Sequence, residues 1–145
     1  MALPCPISTL AANTQADIVG EALSAGYLAI YSGRRPATPD DQPRGCKLLA
    51  EQRFGFPACP HATDGTLTFY PLAPSPVRDT GRATWFRCLT IDRNPVFDGD
   101  VSADEDSGAE MVIAATTFTS DDINAGKAVV PHRFTYRVPR TKADL

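Results

Sequence analysis

Thirteen prolines in 145 residues constrain this chain more than any other feature. Each proline fixes its own φ and withholds a backbone donor, so helix interiors and central strands must lie between them. From Tyr27 onward, prolines and glycines divide the sequence into short apolar runs that leave no room for the crossover helices of a parallel sheet. One stretch escapes this division. Between Ser8 and Ala25, Leu10, Thr14, Ile18 and Ala22 recur at spacings of four, which predicts a helix carrying these residues on its apolar stripe. Ser8 or Thr9 would cap its start and Gly26 would stop it. Gly20 and the β-branched residues around it leave an extended N-terminal arm as the competing reading.

Strands are predicted at 27–31, 48–54, 66–70, 82–91, 96–99, 110–114, 128–130 and 132–138, separated by turn residues. The strongest is 82–91, where Ala83, Trp85, Arg87, Leu89 and Ile91 alternate with Thr84, Phe86, Cys88 and Thr90. Apolar groups fall on both of its faces, so it reads as a central strand covered on both sides. Trp85, Leu89, Ile91, Phe134 and Tyr136 form the predicted core, with Trp85 packed against a facing sheet. The segment 34–45, with Pro36, Pro39 and Pro43, is predicted to be a long ordered surface loop, and 56–64 a second one. The fold class expected is mainly β, an antiparallel β-sandwich or jelly roll with an N-terminal arm or short helix and long Pro-rich loops. The organisation is an arm or helix over 1–26, one β domain over 27–139 and a C-terminal tail over 140–145.

The net charge of −3 and the pI near 5.3 give no general attraction to nucleic-acid phosphates or anionic lipids, so neither is expected as a partner. Arg34, Arg35 and Arg44 share their loop with Asp40 and Asp41, which offset them locally. No run approaches the roughly 20 apolar residues that span a bilayer, and Met1 to Pro6 does not resemble a signal peptide. A cytosolic chain is expected. Cys5, Cys46, Cys59 and Cys88 have no paired-thiolate spacing, so free thiols are expected in it.

Catalytic patterns are missing from the sequence. There is no GxSxG elbow and no glycine-rich phosphate loop, and nothing pairs Cys59 or Cys88 with His132 as nucleophile and base. Cys46, Cys59 and His61 are the nearest approach to a zinc set and lack a fourth ligand. The acids Asp98, Asp100, Asp104, Glu105 and Asp106 do not have EF-hand spacing. The sequence therefore predicts no enzyme, no cofactor and no metal. Trp85 could serve a carbohydrate-binding module as an exposed stacking platform, but a core position suits a single Trp in the most apolar strand better.

The run from Gly26 to Asp40 (Gly-Tyr-Leu-Ala-Ile-Tyr-Ser-Gly-Arg-Arg-Pro-Ala-Thr-Pro-Asp), followed by Leu48-Leu49-Ala50-Glu51, resembles a group of small tailed-bacteriophage virion proteins. Gly81-Arg82-Ala83-Thr84-Trp85-Phe86-Arg87, then Val96-Phe97-Asp98-Gly99-Asp100-Val101 and Phe134-Thr135-Tyr136-Arg137-Val138-Pro139, are similar to the same group in the same order. The likeness runs from about Ala22 to Pro139 and is closest to capsid cement or decoration proteins with jelly-roll-like folds. It implies a place on the capsid surface of a virion assembled in a bacterial cytoplasm. It also implies the major capsid protein as partner and a homo-oligomer, dimer or trimer, on the shell. A neck or tail component is the alternative, and no catalytic residue comes with the resemblance. Arg34, Arg35, Pro36, Pro39, Asp40 and Arg44 are the expected assembly contact, on a loop that a short Gly/Ser linker should replace without loss of fold.

Overall fold

A computed structural model describes residues 5–140. Residues 1–4, and all of the expected tail except Arg140, lie outside the described residues. The element order is α1 (Thr9–Leu23), β1 (Tyr27–Tyr31), β2 (Leu48–Arg53), β3 (Thr66–Thr68), β4 (Ser75–Pro76), β5 (Gly81–Arg82), β6 (Trp85–Leu89) and β7 (Pro95–Ser102). It continues with β8 (Met111–Ile113), β9 (Thr117–Phe118), α2 (Ser120–Asn124), β10 (Ala128–Val129) and β11 (Pro131–Arg137). The chain is mainly β, as the proline punctuation predicts. The strands do not separate into the two stacked antiparallel sheets of a sandwich or jelly roll. Seven of them join in one mixed sheet of order β2-β1-β6-β7-β8-β11-β3, in which β7 and β8 run parallel. β10 with β4, and β5 with β9, form two small ribbons.

Ring distances show that the large sheet is curled. β6 and β11 are three places apart, which in a flat sheet would be about 14 Å, yet the rings of Phe86 and Phe134 meet edge to face with centroids 5.1 Å apart. Phe54 and Phe69, just beyond the two edge strands β2 and β3, lie 5.3 Å apart, and both contact Phe134. The concave face thus closes around an aromatic centre, to which Leu28, Ile30, Cys88 and Met111 also belong. Gly99 makes room for it. A Cβ at this position would lie 2.4 Å from Cζ of Phe86, its cross-strand partner.

Helix α1 forms where expected, and Ser8 caps it by accepting from the Ala11 N–H at 3.1 Å. Its buried face is not the predicted one. Ala12, Ala16, Gly20 and Leu23 face the core, whereas Leu10 and Ile18 are 77% and 61% exposed. Small residues win because the helix lies close against β3: a Cβ at Gly20 would be 2.7 Å from Cys59 Sγ and 3.5 Å from a Leu67 methyl. The helix ends through Ala25, at φ +59°, followed by the Gly26 N–H donating to Leu23 O. Since Ala12, Ala16 and Leu23 share the core cluster with the strands, 8–24 is part of the same folding unit as the sheet.

Two other expectations change. The long strand 82–91 breaks into β5 and β6 at Ala83 and Thr84, and it stops at Leu89. Beyond it, Thr90 N–H donates to Asn94 O and Arg93 takes φ +66°, so a tight turn lifts Ile91 to a tip where it is 55% exposed. Ile91 is not a core residue, while Leu89 and Tyr136 are half-buried and Phe134 is buried. The polar turn expected near Asp121 is the short helix α2, held by a reciprocal capping box between Thr119 and Asp122. No helix among the described residues is long and apolar enough to cross a membrane.

Phe134→Ala should destabilise the protein by about 3–5 kcal/mol, because three aromatic rings lose their common neighbour. Leu10→Ala and Ile18→Ala should each stay within about 0.5 kcal/mol of the parent. Urea denaturation of the three variants measures the contrast, and a large loss at Leu10 or Ile18 would contradict the exposed face.

Candidate functional site

The residues expected to make the assembly contact all lie on the loop joining β1 to β2, and the convex face of the sheet explains its shape. By period-two alternation, Ala29 and Tyr31 of β1, Trp85 and Arg87 of β6, and Asp98 and Asp100 of β7 share that face. Trp85 is 1% exposed. It is not packed against a second sheet, as the sequence suggested, because its ring stacks on Tyr31 at 4.5 Å with 13° between the planes. The Arg87 guanidinium sits 5.3 Å from the Trp85 ring centroid, and the indole N–H donates to Ser32 O at 3.3 Å.

Arg87 and Asp98 are directly opposite each other on β6 and β7, in a pair whose side chains approach closely. Arg87 Nε donates to Asp98 Oδ1 at 2.8 Å and Nη2 to Oδ2 at 3.0 Å, with the two side chains 7% and 5% exposed. This carboxylate hydrogen bond, outweighing the cost of burial, raises the Arg87 pKa above its ordinary value. The remaining donors face outward: Nη1 reaches Asp41 O at 2.8 Å and Nη2 lies 3.5 Å from Thr38 O. The loop is therefore tied to the sheet by its own backbone carbonyls.

Further ties close the loop at its ends. Thr84 Oγ1 donates to Gly33 O at 2.5 Å, Cys46 Sγ to Arg34 O at 3.4 Å, and Arg35 pairs with Asp100 at 3.1 Å. Asp41 Oδ2 accepts from the Thr38 N–H, which bends the loop crest. Pro36 and Pro39 are partly covered, whereas Arg34, Asp40 and Arg44 project into solvent. Arg34, Arg35 and Arg44 rim a shallow hollow of about 410 Å³ with Pro36, Ala37 and Gln42. This loop supplies backbone acceptors to Arg87, which a Gly/Ser linker in its place would have to replace.

The other singled-out groups are dispersed. Cys46 belongs to this loop, while Cys59 and His61 lie across the molecule beside α1, where Asp17 Oδ1 accepts from the Ala62 N–H at 2.6 Å and Oδ2 is 3.4 Å from His61 Nδ1. Asp98 and Asp100 are taken by Arg87 and Arg35, and Asp104 Oδ1 accepts from the Asp106 N–H. Among the described residues no group of three or more potential ligands could hold a metal ion. All four cysteines are free thiols. Burial pushes the Cys88 thiol well up and, with help from the Asp17 carboxylate, raises that of Cys59.

A second concave surface was not legible in the sequence. Asp17 and Glu21 of α1 and its C-cap Ser24 face Pro57, Cys59, Pro60, His61 and Tyr70 across a groove of about 380 Å³. The Leu10, Thr14, Ile18 stripe that the periodicity assigned to the core is instead exposed. No family model, curated protein or solved structure matches the chain.

Arg87→Ala should cost about 3–5 kcal/mol by leaving the Asp98 carboxylate buried without its cation. The double variant Arg87→Met with Asp98→Leu should recover most of that stability but not the loop, so trypsin should cut after Arg34 or Arg44 far faster than in the parent. Parent-like resistance in the double variant would mean that the ion pair does not hold the loop. Thiol labelling should proceed readily at Cys5 and Cys46, slowly at Cys59, and at Cys88 only on unfolding. Mass spectrometry of the timed reaction resolves the order.

Proposed function

We propose that this chain is a structural component of a tailed-bacteriophage virion, a cement or decoration protein that binds the major capsid protein between capsomers and stabilises the head. The observation that carries this reading is the 34–45 loop, long and proline-rich, yet tied down by Arg87, Thr84 and Cys46 with Arg34 and Arg44 exposed at its surface. An ordered loop gives up little conformational freedom on docking, so more of its contact energy appears as affinity. On a shell the same contact is repeated at every site, and a subunit that bridges neighbours gains avidity from simultaneous weak contacts. The motif order from Gly26 to Pro139 supports the same reading.

The carbohydrate-module alternative loses its platform, because the single Trp is 1% exposed, stacked on Tyr31 and beside Arg87. The chemistry-bearing side chains contribute to the reading as well. Arg87 and Asp98 are spent on holding the loop, and the cysteines and histidines lie apart from it, except for Cys46, which bonds its backbone.

Sites made between capsomers exist only after assembly. The protein should co-sediment with assembled shells and fail to bind unassembled major capsid protein, and equal binding to both would overturn the proposal. Arg34→Glu with Arg44→Glu should melt like the parent, since neither side chain supports the fold, and should be lost from shells at physiological salt. Unchanged shell binding by this variant would remove the loop from the contact.

A further inference from the structure

Two surfaces of this molecule carry complementary chemistry and cannot meet within one copy. The first is the α1 groove. Glu21 is exposed there and makes no ion pair among the described residues, Asp17 lies one helical turn earlier with Oδ1 on the Ala62 N–H and Oδ2 3.4 Å from His61 Nδ1, and Tyr70, Pro57, Pro60 and His61 form the other wall. Outside the groove, Leu10, Ile18 and Phe56 are three of the most exposed large apolar side chains of the chain.

The second surface is the 34–45 loop, where Arg34 and Arg44 are exposed and make no ion pair among the described residues, Asp40 and Asp41 lie on the same loop, and Pro36 and Ala37 line the hollow with the arginines. β1 separates the two. It begins two residues after Ala25 and ends just before Ser32, a span of about 15 Å, with α1 packed into the concave side and the loop on the convex side. A patch on one end and face, complementary to a patch on the other end and face, defines a heterologous contact that repeats from copy to copy.

We propose that the α1 groove of one copy receives the 34–45 loop of the next, with Arg34 and Arg44 set against Glu21 and the loop prolines against Tyr70, so that copies associate head to tail. This rests on the reading of the loop as an assembly contact and names a second copy of this chain as one of its partners. Arg suits the role, because its planar guanidinium binds carboxylates in a fixed geometry and stacks on aromatic rings. The loop's anchorage means that the guanidinium groups are presented from a preset backbone, and the contact should weaken in high salt since its charges are solvent-exposed in the free protein.

Charge reversal tests the contact directly. The parent should self-associate with rising concentration in sedimentation velocity, more weakly in high salt. Glu21→Arg alone and Arg34→Glu with Arg44→Glu alone should each fold, judged by unchanged melting, and each should lose association by about tenfold or more. Mixed together they should associate again, because the basic groove of one takes the acidic loop of the other and the remaining pair of surfaces is unaltered. A parent that stays monomeric, single variants that associate like the parent, or a mixture that stays monomeric would each overturn the proposal. Shell binding measured on the same proteins keeps the two readings apart. A monomeric parent retained on shells through Arg34 and Arg44 sinks the head-to-tail contact and leaves the virion reading standing, while self-association without retention on shells does the reverse.

Discussion

The convex side of this protein is organised by one buried ion pair, Arg87 with Asp98. Two opposite charges with side chains 7% and 5% exposed are tolerated only if nearly every donor and acceptor is used. Asp98 takes two donors, and the rest of the guanidinium must find acceptors above the sheet. The carbonyls of Thr38 and Asp41 are those acceptors. The requirement to satisfy Arg87 thus dictates where a loop without sheet pairing has to lie, while Trp85 is buried against the Tyr31 ring and the Arg87 guanidinium. An apolar pair at 87 and 98 would give comparable or greater stability. It could not specify the loop's position, because apolar contacts have no direction.

The concave side follows a different logic. There the sheet curls until rings from its two edges touch, and the curl depends on what is small as much as on what is large. Gly99 accepts the Phe86 ring, while Gly20 lets α1 settle against Leu67 and Cys59. A larger side chain at either position would push the helix or the ring outward. The helix is consequently chosen for its small face, Ala12, Ala16 and Gly20, and its large apolar residues are left outside. The exposed Leu10 and Ile18 are thus a consequence of close packing.

Much of this was legible in the sequence, and the failures share one cause. Strand positions, the capped helix start at Ser8 and the excursion at 34–45 follow from proline placement and alternation, which act locally. The buried face of α1 was misread because a hydrophobic stripe at spacings of four normally marks the core side. Only the tertiary distance to Cys59 and Leu67 reveals that no large side chain fits there. Ile91 was misread because alternation does not say where a strand ends; the turn that lifts it depends on Arg93 adopting a positive φ, an uncommon conformation for a residue with a Cβ. Trp85 was rightly read as buried, but its cover is an arginine and a loop, which no period-two argument can supply. The parallel pairing of β7 with β8 lay beyond the pattern as well, since alternation is the same for either direction.

These two faces give the molecule a polarity that its net charge of −3 conceals. Among the described residues, Arg34 and Arg44 make no ion pair on a loop they share with Asp40 and Asp41, and beside α1 Glu21 makes none, whereas Asp17 is held by the Ala62 N–H and faces His61. Asp98 and Asp100 are occupied by Arg87 and Arg35, and Arg53 is occupied by the Ala25 carbonyl and the Tyr27 ring. What remains exposed without an ion pair among the described residues includes Arg34 and Arg44 beyond the end of β1 and Glu21 before its start. A pair of complementary ends on one rigid body favours repeating contacts over closed two-fold ones, since a single relation between neighbours satisfies both ends at once. The buried ion pair that positions the loop is thereby also what separates the charges, and the geometry of any assembly built from this chain begins with it.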